Sequence, residues 1–339
     1  MKSILSSFLL LLTFTAFSQE IEAPSQPLTG PGGTEYVCDS VAFHDFAAEP
    51  DGYWLFEPIS PEIKEAPVIV FVHGYGAMNP MIYGNWIKHL VRRGNIVIFP
   101  RYQKNLFSPK PKYFSENVAA AIRHALVELD TGQYVKANDS PLAIVGHSYG
   151  GVISANLAVN FEKHGIPQPE AVMLCSPGSG PFKGGVLDSY AAMPANVNLL
   201  VMVSENDRIV GDKLGKRVYE TAENVSNRNL VRQFADKHGS PSIKAGHNES
   251  YSLNRQFDSG NRNMTAKRAK RKTALNAVDY FGYWKLFDAL LDCSRNTTHC
   301  EIAFGDTPEQ RYMGLWSDGT PVKQLEIQVP DPRKLQAKN

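Results

Sequence analysis

The hexapeptide Gly146-His147-Ser148-Tyr149-Gly150-Gly151 constrains this chain more than any other segment. It follows an apolar run, Leu142 to Val145, that reads as a buried strand, and it precedes a helical pattern starting near Val152. A serine flanked by glycines at a strand-to-helix turn must bend so sharply that side chains at the flanking positions would clash. The turn lifts the hydroxyl above the carboxyl edge of a sheet, and the N-terminus of the following helix favours negative charge developing there. A fold that supplies such an edge is therefore required.

The rest of the chain supplies it. Val68–Val72, Ile96–Phe99, Ala171–Leu174 and Leu199–Val203 are continuous apolar runs suited to strands covered on both faces. Between them, Asn85–Arg93 (stopped by Gly94), Phe114–Leu129 and Val152–Phe161 carry apolar residues at helical spacing. This alternation predicts an α/β fold with a mainly parallel central sheet and helices on both faces. Only Ser176 to Asn198 separates the last two of these strands, so a minimal lid and an open, shallow site are expected.

A serine hydroxyl needs a base, and the base needs an acid to orient it. In a serine-turn fold of this kind the acid and then the base follow the serine in the chain. Asp207 sits in the loop after the strand Leu199–Val203 and is the expected acid, with Glu205 as its rival. For the base, His247 in Ala245-Gly246-His247 is favoured over His238, whose surroundings suit a structural role, and His299 is a poor candidate. Two backbone N–H donors are needed for an oxyanion. Tyr149, next after the serine, is one; Tyr75 in His73-Gly74-Tyr75-Gly76 is the other, with Gly76 as its alternative. His73 reads as a brace for that loop.

Taken together, HGYG, GHSYGG, SENDRIV and AGH, in that order, resemble the α/β-hydrolase superfamily, and within it the secreted cutinase-like, polyester-hydrolase-like and chlorophyllase-like esterases. The resemblance runs from Tyr53 to Val322. It implies Ser148 as nucleophile, Asp207 and His247 as acid and base, Tyr75 and Tyr149 as oxyanion donors, and Ala277–Asp292 as the closing helix. It implies a carboxylic ester hydrolase acting on a small-molecule or polymeric ester. Two features depart from the cutinase-like pattern: Tyr149 stands where methionine is usual, and a basic insertion, Ser252 to Lys272, separates the histidine from the closing helix. A serine peptidase or amidase on the same scaffold, and a binding protein without catalysis, are the alternatives; a propeller or cap domain would mark the first and a broken triad the second.

The remaining expectations are simpler. Residues 1–18 have the cationic start, apolar core and small-residue end of a secretory signal, and their apolar stretch is too short to span a bilayer. The protein is thus expected to be secreted or periplasmic, without stable membrane insertion. Residues 19–34 read as a flexible lead-in, 35–325 as the catalytic domain and 326–339 as a C-terminal tail. Export permits disulfides, and Cys293 and Cys300 flank a short loop that can close. Cys175 reads as a buried small hydrophobe, and Cys38 has no evident partner. Lys+Arg of 35 against Asp+Glu of 34 leaves a net charge of +1, so no global field gathers nucleic acid. The one basic run, Arg262 to Lys272, lacks interleaved aromatics and reads as a solvated loop. No phosphate-loop or metal-ligand motif occurs, so no cofactor is expected.

Overall fold

The computed structural model describes residues 20–107, 109–180, 185–270 and 275–331. The proposed leader and its cleavage point lie outside them.

Among the described residues eleven strands form, nine of them in one sheet. These are β1 (Ser40–Asp45), β2 (Tyr53–Ile59), β4 (Val68–Val72), β5 (Ile96–Pro100), β7 (Leu142–His147), β8 (Pro169–Cys175), β9 (Asn198–Ser204), β10 (Arg228–Gln233) and β11 (Glu326–Gln328). A separate two-stranded ribbon pairs β3 (Glu65–Ala66) with β6 (Lys136–Ala137). The main sheet runs in the order β1-β2-β5-β4-β7-β8-β9-β10-β11. From β5 to β10 every neighbouring pair is parallel, whereas β1, β2 and β11 add antiparallel edges.

The continuous apolar strands are buried on both faces, as their composition requires. Along β4, Ile69 and Phe71 join one core cluster while Val68, Val70 and Val72 join the other. Each such side chain contributes about 1.5–3 kcal/mol by leaving water. One face is covered by α1 (Gly84–Arg92) and by the closing helix, whose first part, Val278–Trp284, has π-helical register before it continues as α6 (Lys285–Asn296). The opposite face is covered by α2 (Phe114–Leu129), α3 (Tyr149–His164) and, further along the sheet, α4 (Lys213–Thr221). The stop expected after α1 is made by Gly94, whose φ of 86° suits a residue without a Cβ.

Three expectations need correction. The lead-in does not hang free over residues 20–34: Gly32 donates its N–H to Asp288 at 2.8 Å, and the Ile21 carbonyl accepts from Ser240. The tail expected from 326 instead begins with β11, which pairs with β10, so Leu230, Val231 and Arg232 face Gln328, Ile327 and Glu326. The basic run is not simply a solvated loop. Met264–Ala269 forms a short helix, α5, capped by Asn263, with Ala266 and Ala269 buried; Arg271 and Lys272 lie outside the described residues. The expected disulfide, Cys293–Cys300, is present, while Cys38 and Cys175 are buried free thiols.

Candidate active site

The serine turn has the geometry its sequence demands. Ser148 has φ 54° and ψ −118°, a conformation unfavourable for a residue with a Cβ, and it is held there from several sides. Its N–H donates to the Cys175 carbonyl at 2.9 Å, and its own carbonyl accepts from Gly151 and Gly178. The flanking glycines are required by space: a Cβ at Gly150 would run into the Val72 carbonyl oxygen, and one at Gly146 into Ser154 Oγ. The result places Ser148 Oγ at the carboxyl end of β7, at the start of α3.

His247 and Asp207 converge on it. His247 Nε2 lies 2.9 Å from Ser148 Oγ, and His247 Nδ1 lies 2.7 Å from Asp207 Oδ2. Asp207 Oδ1 accepts from the N–H groups of Ile209 and Val210 at 2.9 and 3.0 Å. Burial pushes the Asp207 carboxyl up, but the hydrogen bond and charge of His247, with those two backbone donors, outweigh it and hold the group below the usual carboxylate range. An ionised Asp207 fixes the histidine proton on Nδ1, which leaves Nε2 as an acceptor for the serine hydroxyl. The acid and base loops are also joined directly, since Asn206 donates its N–H to the Ala245 carbonyl at 2.8 Å.

The rival residues are occupied elsewhere. Glu205 Oε2 accepts from the Ala235 N–H, His238 pairs with Asp318 at 2.8 Å, and His299 pairs with Asp292 at 2.9 Å. In the loop after β4, Gly74 donates its N–H to Tyr83 Oη and Gly76 donates to Gln103 Oε1. The N–H groups of Gly74 and Gly76 are thus engaged with side chains, and Tyr75 lines the cavity beside Ser148. His73 braces this loop as expected: it is fully buried, stacks on Tyr102 with ring centroids 4.2 Å apart, and points its ring nitrogens at the Gly74 and Arg101 carbonyls.

Two buried polar neighbours, His147 and Tyr83, join the serine turn to the segment of His247. His147 Nε2 lies 2.8 Å from the His247 carbonyl, and its Nδ1 lies 2.8 Å from Tyr83 Oη. Complete burial and the nearby His247 push its pKa down to about 3, so the ring is neutral. Tyr83 then donates to Nδ1 while accepting from Gly74, and His147 donates from Nε2 to His247. Adjacency to Ser148 was the only available signal for His147, and nothing in the sequence marked Tyr83.

A cavity of about 220 Å³ opens over Ser148. Tyr75, Tyr149, Ile209, Val210 and Tyr251 give it an apolar and aromatic wall, and Gly178 to Gly180 come from the short segment after β8. Its remaining wall is α5, which contributes Thr265 and Arg268. The expectation of a minimal lid after β8 thus meets a site walled instead by the insertion that precedes the closing helix. Among the described residues no group of three His, Cys, Asp or Glu side chains is placed to hold a metal ion, and no helix is long and apolar enough to cross a membrane.

The mainly parallel sheet with helices on both faces, bearing a strained serine turn at the carboxyl end of β7, is an α/β-hydrolase fold. Residues 48–189 match the family model described as Chlorophyllase. That stretch holds Tyr75, Ser148 and Tyr149 but ends before Asp207 and His247. Comparison with curated proteins finds no match.

Proposed function

We propose that the protein is a serine hydrolase of carboxylic esters, small-molecule or polymeric, working through an acyl-enzyme. The carrying observation is the unbroken relay from Ser148 Oγ to His247 at 2.9 Å and from His247 to Asp207 at 2.7 Å. The likeness of residues 48–189 to a family of ester hydrolases supports the same reading.

Ser148 Oγ attacks the ester carbonyl carbon as its proton passes to His247 Nε2. Asp207 stabilises the imidazolium that results without taking its proton. The tetrahedral oxyanion is met by the N–H groups of Tyr149 and Tyr75. Collapse breaks the bond to the alcohol, which departs with the proton from His247 and leaves the acyl group on Ser148. Water, deprotonated by His247, then attacks the acyl carbon, releasing the acid and restoring the serine. Export by the leader at residues 1–18 belongs to the same proposal, and the Cys293–Cys300 disulfide supports an oxidising destination.

The test is labelling by a fluorophosphonate probe together with turnover of a series of nitrophenyl esters. Wild-type protein should be labelled and should turn over at least one ester, and Ser148→Ala should abolish both while retaining the circular dichroism spectrum. Labelling of the variant at the wild-type rate would remove Ser148 from the role.

A further inference from the structure

The insertion between the base and the closing helix does more than fill space, because it is built into the wall of the serine cavity. Asn263 Nδ2 donates to the Gly76 carbonyl at 2.8 Å, while Asn263 Oδ1 caps α5 by accepting from the Ala266 N–H. Asn79 Nδ2 reaches back to Asp258 and to the Asn261 carbonyl. Gly76 leaves room for this approach, since a Cβ there would run into Thr265 and Leu106. The backbone that carries Arg268 is therefore tied to the loop that carries Tyr75.

Among the described residues lining the cavity over Ser148, Arg268 is the one Lys, Arg, Asp or Glu. It is exposed, and no carboxylate among the described residues pairs with it. The nearby acids are engaged: Asp207 by His247 and two N–H groups, Asp258 by Arg262 and Asn79. On its other side α5 turns Lys267 and Lys270 toward a second cavity of about 710 Å³, shared with Lys104, Arg101 and Arg262 and lined by no Asp or Glu. A chain with a net charge of only +1 has thus gathered cations on both sides of α5, and among the described residues the Arg268 fork has no carboxylate partner.

Resting on the ester-hydrolase reading above, we propose that Arg268 is a specificity residue and that the preferred substrates are esters bearing a carboxylate or similar anion close to the scissile bond. A planar guanidinium matches a carboxylate with two parallel N–H···O bonds. The lysines beyond α5 raise the local concentration of anionic substrate and speed its arrival.

The experiment compares matched ester pairs that differ in charge and little in shape. One pair places the group on the alcohol side, 4-acetoxybenzoate against 4-acetoxybenzamide; the other places it on the acyl side, phenyl hydrogen adipate against its terminal amide. In at least one pair the carboxylate-to-amide ratio of kcat/KM should fall tenfold or more in Arg268→Gln. Arg268→Lys should recover part of the loss, and 0.5 M salt should lower the wild-type ratio. Thermal melting of each variant checks the fold. An unchanged ratio in both pairs, or an equal fall for both members of each pair, would overturn the role of Arg268 while leaving the esterase reading in place. Absence of wild-type turnover on all four esters, together with absence of fluorophosphonate labelling, would overturn both.

Discussion

His147 donates from Nε2 to the backbone carbonyl of His247 at 2.8 Å, so the residue preceding the proposed nucleophile holds the segment that carries the proposed base. Tyr83 completes the link by bonding His147 on one side and the Gly74 N–H on the other. The serine turn, the segment of the proposed base and the loop of the proposed oxyanion donor thereby share one buried polar network.

Replacing His147 by leucine keeps the volume but takes from Tyr83 Oη the Nδ1 to which it donates and from the His247 carbonyl its Nε2–H donor, while the Gly74 N–H still donates to Tyr83. Each buried group left unpaired costs about 1–3 kcal/mol. The melting temperature should fall by several degrees, and kcat should fall at least tenfold with a smaller change in KM, because the base loses its anchor while the cavity wall remains. Steady-state kinetics alongside thermal melts check this, and an unaltered kcat would show that the anchor is dispensable.

The same histidine sets a pH dependence of stability. Its pKa is pushed from the ordinary value of 6.5 down to about 3 in the folded protein. Between those limits the unfolded chain binds a proton that the folded one refuses, so stability is complete above about pH 6.5 and declines as pH falls toward 3. The slope from this one group approaches about 1.4 kcal/mol per pH unit. Denaturant titrations from pH 7 to 4 should show a shallower decline in His147→Leu than in wild type.

His247→Ala should lower kcat/KM by roughly 10⁴-fold or more, since an unassisted hydroxyl is nearly inert near neutral pH. His238→Ala breaks only a half-exposed pair with Asp318 and should cost less than twofold in activity. Parallel assays of the two variants discriminate the roles, and the reverse ranking would reassign the base.

Reducing Cys293–Cys300 opens a loop of sequence separation 7, worth about 2–3 kcal/mol by chain entropy. The melting temperature should drop modestly on treatment with a thiol reductant. Activity at 25 °C should persist, because the loop lies beyond Ser148, Asp207 and His247 in the chain and none of its residues lines their cavity.

The parts of this fold that could be read from sequence are those where one physical demand dominates. Strands buried on both faces must be continuously apolar, so β4, β5, β7, β8 and β9 were visible. β10, Arg228-Asn-Leu-Val-Arg-Gln233, was not, because Arg228, Asn229 and Gln233 are buried polar residues: Arg228 bonds the nearby Tyr219 carbonyl, while Asn229 and Gln233 bond the distant side chains of Gln310 and Ser204. The antiparallel strand β2, paired between β1 and β5, was obscured by Glu57 and Pro58. At the site, the glycines around Ser148 announced a strained turn, and the order of Asp207 and His247 followed. The Tyr83–His147–His247 network stayed hidden because it depends on contacts up to 100 residues apart. In α5 the charge of Lys267, Arg268 and Lys270 masked a short buried stripe of Ala266 and Ala269, whose spacing and the Asn263 cap were the signals available.

The pairing of β11 with β10 also bears on how copies of this chain avoid one another. An edge strand offers a row of unpaired backbone donors and acceptors to any extended segment it meets. At Glu326–Gln328 that edge is only three residues long and shows Glu326 and Gln328 to solvent. Behind it, β10 is six residues long and buries Leu230 and Val231. A chain shortened to Leu325 would uncover this longer, stickier template, and its failure would take the form of aggregation while Ser148, Asp207 and His247 were all still present.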